Sequence, residues 1–410
     1  KNGGGAFVLA YILIVIFIGF SLTMGEMLIG RATQLNAMGA YRKLNKKLTW
    51  VGALGVLTAF IILSFYCIVG GWVINYMIKT LTGALSISDT EALGNMFGEL
   101  VSNPVEPIIY GAIFMLITLV IVLGGIGEGI EKASKFMMPA LFVMIIVLAI
   151  RSLTLPGASE GLKFFLYPDF SEFTVDGLLA ALGQVFFSLS LGMGIMITYG
   201  SYLSKDSNLP QASIYITFLD TLVALLAGLA ILPAVFAFGF EPAQGPGLMF
   251  VTLPAVFSQM PAGVFFGFIF FALVLLAALT SSISLLEVCV TYVVDEWKWD
   301  RKKATWILAL IIFLVGIPAS LSNGPWAHIA IFKGMGFFDT YDYITSYIFL
   351  PIGGLMSCIL IGWLWGTKNA LDEITNQGRI QFAFGNVWSF LIKYVAPIAI
   401  AVIFITSITS

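Results

Sequence analysis

The sequence predicts an all-α polytopic membrane protein. Of its 410 residues, 59% are hydrophobic and only 10% are charged, whereas a soluble domain carries about 25% charged residues. The mean hydropathy is +1.00, and apolar runs of the length that crosses a bilayer, about 18 residues or more, recur along the whole chain. The net charge of −2 is too small to indicate a nucleic-acid partner. The lipid bilayer is therefore the expected surrounding.

About ten transmembrane helices are expected from the apolar runs. In chain order they cover residues 6–29, 50–78, 106–124, 132–150, 178–203, 212–240, 262–294, 304–322, 340–366 and 386–409. The stretch 241–261 is only half apolar and is bracketed by prolines. We expect it to cap the bundle as a hairpin and not to span the membrane.

The distribution of basic residues predicts the orientation. Alternate loops on one side contain fourteen of them, namely Arg31, Arg42, Lys43, Lys46, Lys47, Lys132, Lys135, Lys205, Lys298, Arg301, Lys302, Lys303, Lys368 and Arg379. The other side contains five, namely Lys1, Lys79, Arg151, Lys163 and Lys333. Because cytoplasmic loops are rich in Lys and Arg, the first side is expected inside a plasma membrane, with the Lys1 end outside. An outside start without a signal peptide favours one further helix before Lys1.

The reactive side chains give no indication of an enzyme. The three cysteines, Cys67, Cys289 and Cys358, are far apart in apolar segments and are expected to be small core residues. The single histidine, His328, lies in a predicted loop. No nucleophile–base pair or metal-ligand cluster appears, so covalent catalysis is not expected.

One apolar run is interrupted at its centre. Residues 186–196 read FFSLSLGMGIM, with two serines and two glycines. Many secondary transporters consist of inverted repeats whose sites use such discontinuous helices. We therefore predict a first repeat over 1–177 that lacks its leading helix, a second repeat over 178–366 with a break near 188–193, and an inner loop and last helix over 367–410.

The interruption offers groups that can bind a small ion or solute. Ser188 and Ser190 provide hydroxyl and carbonyl oxygens, while Gly192 and Gly194 allow backbone angles that other residues resist. In transporters, unwound carbonyls and half-helix ends bind cations and substrate carboxylates. The alternative is a glycine-kinked helix that packing tolerates.

A second polar group lies on one helical face. Ala277, Thr280, Ser281 and Leu285 follow i, i+3, i+4, i+8 spacing. Hard cations favour oxygen ligands, so this face is a candidate sodium site. The alternative is that the two hydroxyls hold neighbouring helices together, a common role of Ser and Thr in membranes.

Three acids fall within apolar runs: Glu26, Asp220 and Glu287. Charged groups at membrane depth are costly and are usually functional or paired. Alternatives remain for each. Asp220 could lie at an interface, Glu26 could extend towards the inner surface, and Glu287 could be a structural hydrogen-bond partner.

Ile62, Tyr66 and Val69 share one face of their run and include a single phenol. The face could line a binding pocket. Ordinary core packing explains it equally well.

Several stretches in order resemble the neurotransmitter:sodium symporter family of LeuT-type transporters. They are NGGGAF, GEMLIGR, GIEKASKFMMPALF, FFSLSLGMGIMITYGSY, ALTSSIS and VVDEWKWDRKK, and the resemblance covers nearly the whole chain. It implies a LeuT-type inverted-repeat helix bundle. The family's first helix would precede Lys1 and would carry half of both sodium sites.

The resemblance also implies roles for particular residues. The expected substrate site consists of Ile62, Tyr66, Val69, Phe187, Ser188, Ser190, Met193, Ser281 and Leu285. In it, Tyr66 is similar to the phenol that binds the substrate carboxylate, and Phe187 is similar to an aromatic lid. The expected sodium ligands are Ser188 and Asp220 at the first site and Ala277, Thr280 and Ser281 at the second. Asp342 resembles the acid of the outer gate, and Asp295 and Tyr202 resemble the inner gate.

The expected function is sodium-coupled symport of neutral, hydrophobic L-amino acids by alternating access. Two sodium ions are expected and chloride is not, because Asp220 could supply the compensating charge. A transporter of similar fold that is coupled to protons, or to no ion, is the main alternative, and a channel or receptor is a weaker one. The sequence leaves the preferred amino acid and the oligomeric state open.

Overall fold

The computed structural model describes residues 3–171, 173–241 and 245–409. Lys1 and residues 242–244 of the predicted hairpin lie outside this part of the chain. The described helices, in chain order, are α1 (Gly5–Thr33), α2 (Ala37–Leu44), α3 (Lys46–Leu81), α4 (Thr90–Ser102), α5 (Glu106–Leu123), α6 (Ile126–Leu153), α7 (Ala158–Leu166), α8 (Val175–Ser188), α9 (Ile195–Tyr202), α10 (Leu209–Ala237), α11 (Leu248–Gln259), α12 (Gly263–Trp297), α13 (Arg301–Leu321), α14 (Phe337–Leu364), α15 (Thr367–Ile374) and α16 (Gly385–Thr406).

The described part of the chain contains nine continuous helices that are long and apolar enough to cross a membrane: α1, α3, α5, α6, α10, α12, α13, α14 and α16. The half-helices α8 and α9 together correspond to the one remaining predicted span, 178–203. The all-α membrane fold is therefore confirmed. The hairpin prediction for 241–261 is wrong where the structure describes it, because that stretch contains the single short helix α11.

Polar side chains fix the starts of several helices on the side of the bundle that is rich in basic residues. Asn36 accepts a hydrogen bond from the Gly39 amide at the start of α2. Asn208 begins α10 in the same way, and Asp300 begins α13. An N-cap of this kind stabilises a helix by about 1 kcal/mol, because it satisfies an amide that has no partner inside the helix. The three caps therefore set where α2, α10 and α13 begin.

The helices form two groups around the interrupted span. In the first group, α9 packs along α1, and α10 packs against α6, α7 and α1. In the second, α3 lies at the centre and contacts α5, α12 and α13. Cys67, Cys289 and Cys358 are buried and free, which agrees with their predicted role as core residues. The break between α8 and α9 faces the second group, since Gly194 approaches Val288 of α12 and Gly55 of α3.

Candidate substrate and ion site

The interruption is a non-helical segment between two half-helices. Helix α8 ends at Ser188 and α9 begins at Ile195, as the sequence predicts. Gly192 and Gly194 have φ angles of 79° and 78°, in the left-handed region that glycine adopts without strain. Ser190 also lies there, with φ of 56°. This costs a residue with a Cβ roughly 1–2 kcal/mol, and no sequence signal indicates it.

A buried carboxylate holds the break in place. Glu26 is almost fully buried, and its Oε1 accepts hydrogen bonds from the Gly192 amide at 2.9 Å and from the Ser357 hydroxyl at 3.2 Å. The Tyr41 hydroxyl lies 2.7 Å from that of Ser357. Glu26 therefore joins α1, the break and α14. Its side chain is buried inside the bundle and does not reach an exposed surface.

The first predicted sodium pair comes together in the structure. The Ser188 hydroxyl donates to Asp220 Oδ2 at 2.5 Å, and the Tyr11 hydroxyl donates to Ser188 at 3.3 Å. Asp220 lies eleven residues after Leu209, the first residue of α10, which is about 16 Å along the helix. Asp220 is therefore well inside the span and does not lie near the start of α10.

The three predicted oxygens of α12 also come together. The Thr280 and Ser281 hydroxyls donate to the Ala277 carbonyl at 2.8 and 3.4 Å. Each hydroxyl oxygen retains lone pairs that a cation can use, because a hydroxyl can donate and accept together. The Tyr66 hydroxyl lies beside Ser281. The phenol and the oxygen-rich face of α12 are thus neighbours.

The remaining predicted pocket residues differ in exposure. Ile62, Met193 and Leu285 are buried, whereas Phe187 is 41% exposed. Two more, Val69 and Ser190, are half-buried. These residues lie on α3, at the break, on α12 and at the end of α8. None of these side chains carries a charge.

The predicted gate residues have separate partners. Asp342 of α14 accepts from the Ser346 hydroxyl at 3.0 Å. Asp295 accepts hydrogen bonds from the backbone amide of Asn36 at 3.0 Å and from the side-chain amide of Asn36 at 3.2 Å. Tyr202 does not bond to Asp295. Its hydroxyl donates to Glu287 instead.

The structure shows a buried ion pair that the sequence analysis missed. The Glu287 side chain is fully buried, and Arg301 binds its two oxygens at 3.0 and 2.5 Å. Tyr202 lies 2.5 Å from the same carboxylate and 2.6 Å from Thr291. The sequence gives only a weak indication of this pair. Glu287 lies near the end of one apolar run, and Arg301 lies just before the next.

A second polar network joins the C-terminal end of α1 to two neighbouring segments. The buried Arg31 guanidinium binds the side chain and carbonyl of Glu373 and the Ser207 carbonyl at 2.7 Å. Lys205 also contacts Glu373, at 3.2 Å. These bonds attach α15 to the end of α1. Arg42 lies on α2, outside the spans, and Glu296 at the end of α12 raises the pKa of Arg42 by hydrogen bonding and charge attraction.

Comparison with known proteins identifies the family. The sequence profile of the Sodium:neurotransmitter symporter family matches residues 1–96 and 107–410. The chain belongs to this family. The members of this symporter family are transporters, so the expected absence of catalysis agrees with the family.

Individual relatives of this symporter family member cover almost all of its chain. It is 42% identical to the sodium-dependent transporter YhdH of Bacillus subtilis strain 168, over 99% of this chain and 90% of that protein. It is 44% identical to MhsT, whose crystal structure in complex with L-phenylalanine superposes with a TM-score of 0.91 over 99% of this chain and 92% of that one. The human sodium- and chloride-dependent GABA transporter 2 is 26% identical over 92% of this chain and 70% of that protein. The chain is therefore a sodium-dependent transporter of this family.

Proposed function

We propose that the protein is a symporter that carries neutral, hydrophobic L-amino acids into the cell together with sodium ions. The main support is the helix break, which interrupts the helical hydrogen bonding beside the Ser188–Asp220 pair. A half-helix end concentrates about half an elementary charge, so the two ends can bind an ammonium and a carboxylate. Tyr66 adds a phenol donor for the carboxylate. In the proposed topology, the basic-rich loops lie in the cytoplasm and α1 begins, at Gly5, on the outer side.

The uncharged lining supports a hydrophobic substrate. Ile62, Met193 and Leu285 are buried and apolar. A charged side chain beside them would lose its water without gaining a partner, at a cost of several kcal/mol. The related MhsT was crystallised with L-phenylalanine, which is a ligand of the proposed class. Methionine adapts its shape, so Met193 should allow large side chains to enter.

Sodium would act through two sets of oxygens. Ser188 and Asp220 belong to the first, and the Ala277 carbonyl with the Thr280 and Ser281 hydroxyls belongs to the second. A ligand shifts a conformational equilibrium only by binding one state more tightly than another. We infer that both ions bind best when the outer side is open or the site is occluded. Loss of sodium inside would then favour release.

Uptake into vesicles tests this function. The protein is reconstituted in liposomes, and uptake of labelled L-phenylalanine and L-leucine is measured with external sodium or choline at one fixed pH. We expect saturable uptake that needs sodium, with glutamate and lysine as poor competitors. Uptake that persists in choline and follows a proton gradient would support the proton-coupled alternative. Flux that never saturates would indicate a channel.

Adjacent serines of α12 provide a matched pair of variants. Ser281→Ala removes a proposed sodium ligand, whereas Ser282→Ala removes a hydroxyl that bonds to Thr118 at 2.8 Å on another face. We expect Ser281→Ala to raise the sodium concentration needed for half-maximal uptake. Ser282→Ala should leave that concentration unchanged. Equal shifts in both variants would exclude Ser281 as a ligand.

We also propose that transport is independent of chloride. An ionised Asp220 beside the first sodium would compensate its charge, and two opposite charges about 4 Å apart attract by roughly 4 kcal/mol at an effective dielectric constant of 20. The related human GABA transporter 2 is described as chloride-dependent. Replacement of chloride by gluconate should leave uptake intact here, while Asp220→Asn should weaken sodium dependence or create a chloride requirement. Loss of activity in gluconate by the unmodified protein would contradict this role.

A further inference from the structure

A second tyrosine joins the half-helix α9 to α12, one turn before Tyr202. The Tyr199 hydroxyl lies 2.8 Å from the Ser284 hydroxyl, and both side chains are half-buried. Tyr202, three residues later on the same face of α9, bonds to Glu287, three residues later on α12. The two tyrosine rings contact each other edge to face, with their centroids 6.4 Å apart. The half-helix is therefore held to α12 at two successive levels.

The hydroxyl hydrogens of the Tyr199 contact have one consistent arrangement. Ser284 donates its single hydroxyl hydrogen to the Thr280 carbonyl at 3.0 Å, one turn earlier in its own helix. The Ser284 oxygen then accepts from Tyr199, so the phenol is the donor. Two hydrogen bonds in series thus lead from α9 to the main chain of Thr280. In such a series each bond polarises and strengthens the next.

The same turn of α12 contains the second set of proposed sodium ligands. The Thr280 and Ser281 hydroxyls both donate to the Ala277 carbonyl. A cation that binds this carbonyl competes with the two hydroxyls for its lone pairs, so the hydroxyls turn their own oxygens to the ion. Bonds from serine to the carbonyl four residues earlier often bend a helix. Sodium at this turn would therefore change the bend of α12 and the position of Ser284.

The two levels of contact between α9 and α12 differ in strength. Tyr202 bonds to the carboxylate of Glu287, and hydrogen bonds to charged groups are roughly twice as strong as neutral ones. Tyr199 bonds to the neutral hydroxyl of Ser284, and one such bond changes an equilibrium by about five-fold. Ser284 is also nearer to Thr280, at about 6 Å along the helix axis against about 10 Å for Glu287. The Tyr199 contact is thus the weaker of the two and the closer to the proposed ion.

We propose that Tyr199 is a positioning residue that links sodium binding at the second set of oxygens to the position of α9. This inference rests on the proposed function. Sodium on α12 holds Ser284 where it accepts best from the phenol, and departure of the ion weakens that bond. The half-helix then separates from α12 more easily at this level. Because such coupling is reciprocal, loss of the phenol oxygen must also weaken sodium binding.

Removal of the phenol oxygen tests the link. Tyr199→Phe keeps the ring and removes the donor, and Tyr215→Phe makes the same change at an exposed position on α10. We expect Tyr199→Phe to raise the sodium concentration for half-maximal uptake by up to about five-fold, the contribution of one bond. Tyr215→Phe should leave it unchanged. Equal values for Tyr199→Phe and the unmodified protein would overturn the proposal.

A double-mutant cycle identifies the bond as the cause. Ser284→Ala removes the acceptor and should raise the same sodium concentration. The double variant should show a smaller shift than the sum of the two single variants, because both changes remove the same bond. Shifts that simply add would show that the two hydroxyls act separately, which would refute the link.

Amide hydrogen exchange of α9 distinguishes positioning from simple structural support. Exchange over Ile195–Tyr202 is followed by mass spectrometry in sodium chloride and in choline chloride. We expect sodium to slow this exchange several-fold in the unmodified protein and much less in Tyr199→Phe. Equal acceleration of exchange by Tyr199→Phe in both salts would show a structural contact alone and would overturn the proposal.

The Ser281→Ala variant separates failure of this link from failure of the proposed function. If Ser281→Ala abolishes the effect of sodium on α9 while Tyr199→Phe retains it, the sodium ligands stand and the role of Tyr199 is wrong. If sodium leaves exchange of α9 unchanged in the unmodified protein, the link is also wrong, although sodium-dependent uptake by that protein would still support symport. Uptake that does not depend on sodium would contradict both proposals.

Discussion

The buried pair of Glu287 and Arg301 allows a quantitative prediction of stability. The side chains are 0% and 27% exposed. Replacement of Arg301 by glutamine leaves a buried carboxylate without its counter-charge, and such a change typically costs 3–5 kcal/mol. Tyr202 and Thr291 continue to donate to the carboxylate, and water can reach the position of Arg301. We therefore expect the lower limit, about 3 kcal/mol, which is roughly a hundredfold change in the unfolding equilibrium.

A double-mutant cycle distinguishes the lost pair from lost packing. Glu287→Gln alone should cost less than Arg301→Gln, because arginine is the more exposed partner and can find water. The double variant should be more stable than Arg301→Gln, since neither residue is then an isolated buried charge. The measurement is denaturant unfolding in mixed micelles, followed by tryptophan fluorescence.

The pair of Arg42 and Glu296 is the matched control. Its side chains are 44% and 16% exposed, and exposed ion pairs contribute about 0–1 kcal/mol. Arg42→Gln should therefore destabilise the protein much less than Arg301→Gln. Equal losses from the two arginine variants would refute the argument from burial, and so would a double variant that is no more stable than Arg301→Gln.

Three further predictions concern the break and the inner network. Ser190→Gly should raise stability by up to about 1 kcal/mol in thermal unfolding, because glycine removes the cost of the left-handed backbone, whereas Ser190→Val should lower it. Glu26→Leu should slow uptake more than Glu26→Gln, which keeps an acceptor for the Gly192 amide; equal rates would contradict that hydrogen bond. Arg31→Met should increase protease cleavage near Glu373, since the guanidinium attaches α15 to α1; unchanged cleavage would show that other contacts are sufficient.

The sequence predicted the architecture because bilayer thickness limits the length of each span. The runs near 50–78 and 262–294 correspond to α3 and α12, and the serines and glycines of 188–194 correspond to the break. Helix ends shifted by several residues, since the hydrophobicity of a run does not determine where its last backbone hydrogen bond forms. For 241–261, the prolines suggested a turn, but the apolar residues between them form a short helix.

The candidate site was less predictable where it depends on contacts between distant helices. Spacing along one helix was sufficient to group Ala277, Thr280 and Ser281. The bond between Glu26 and Gly192 joins residues far apart in the chain, and no periodicity indicates it. The backbone angle of Ser190 has no local signal, since serine rarely adopts it.

The division of one span into the half-helices α8 and α9 has an evolutionary consequence. In the proposed function, main-chain groups at the break bind the ammonium and carboxylate that all amino acids share. Point mutations do not remove these main-chain groups. The side chains on α3 and α12 contact the part that differs between amino acids. Substitutions at positions such as Ile62 or Leu285 could therefore change the preferred solute while the shared ammonium and carboxylate remain bound. A family built on this plan can acquire new substrates by a few substitutions without rebuilding its transport cycle.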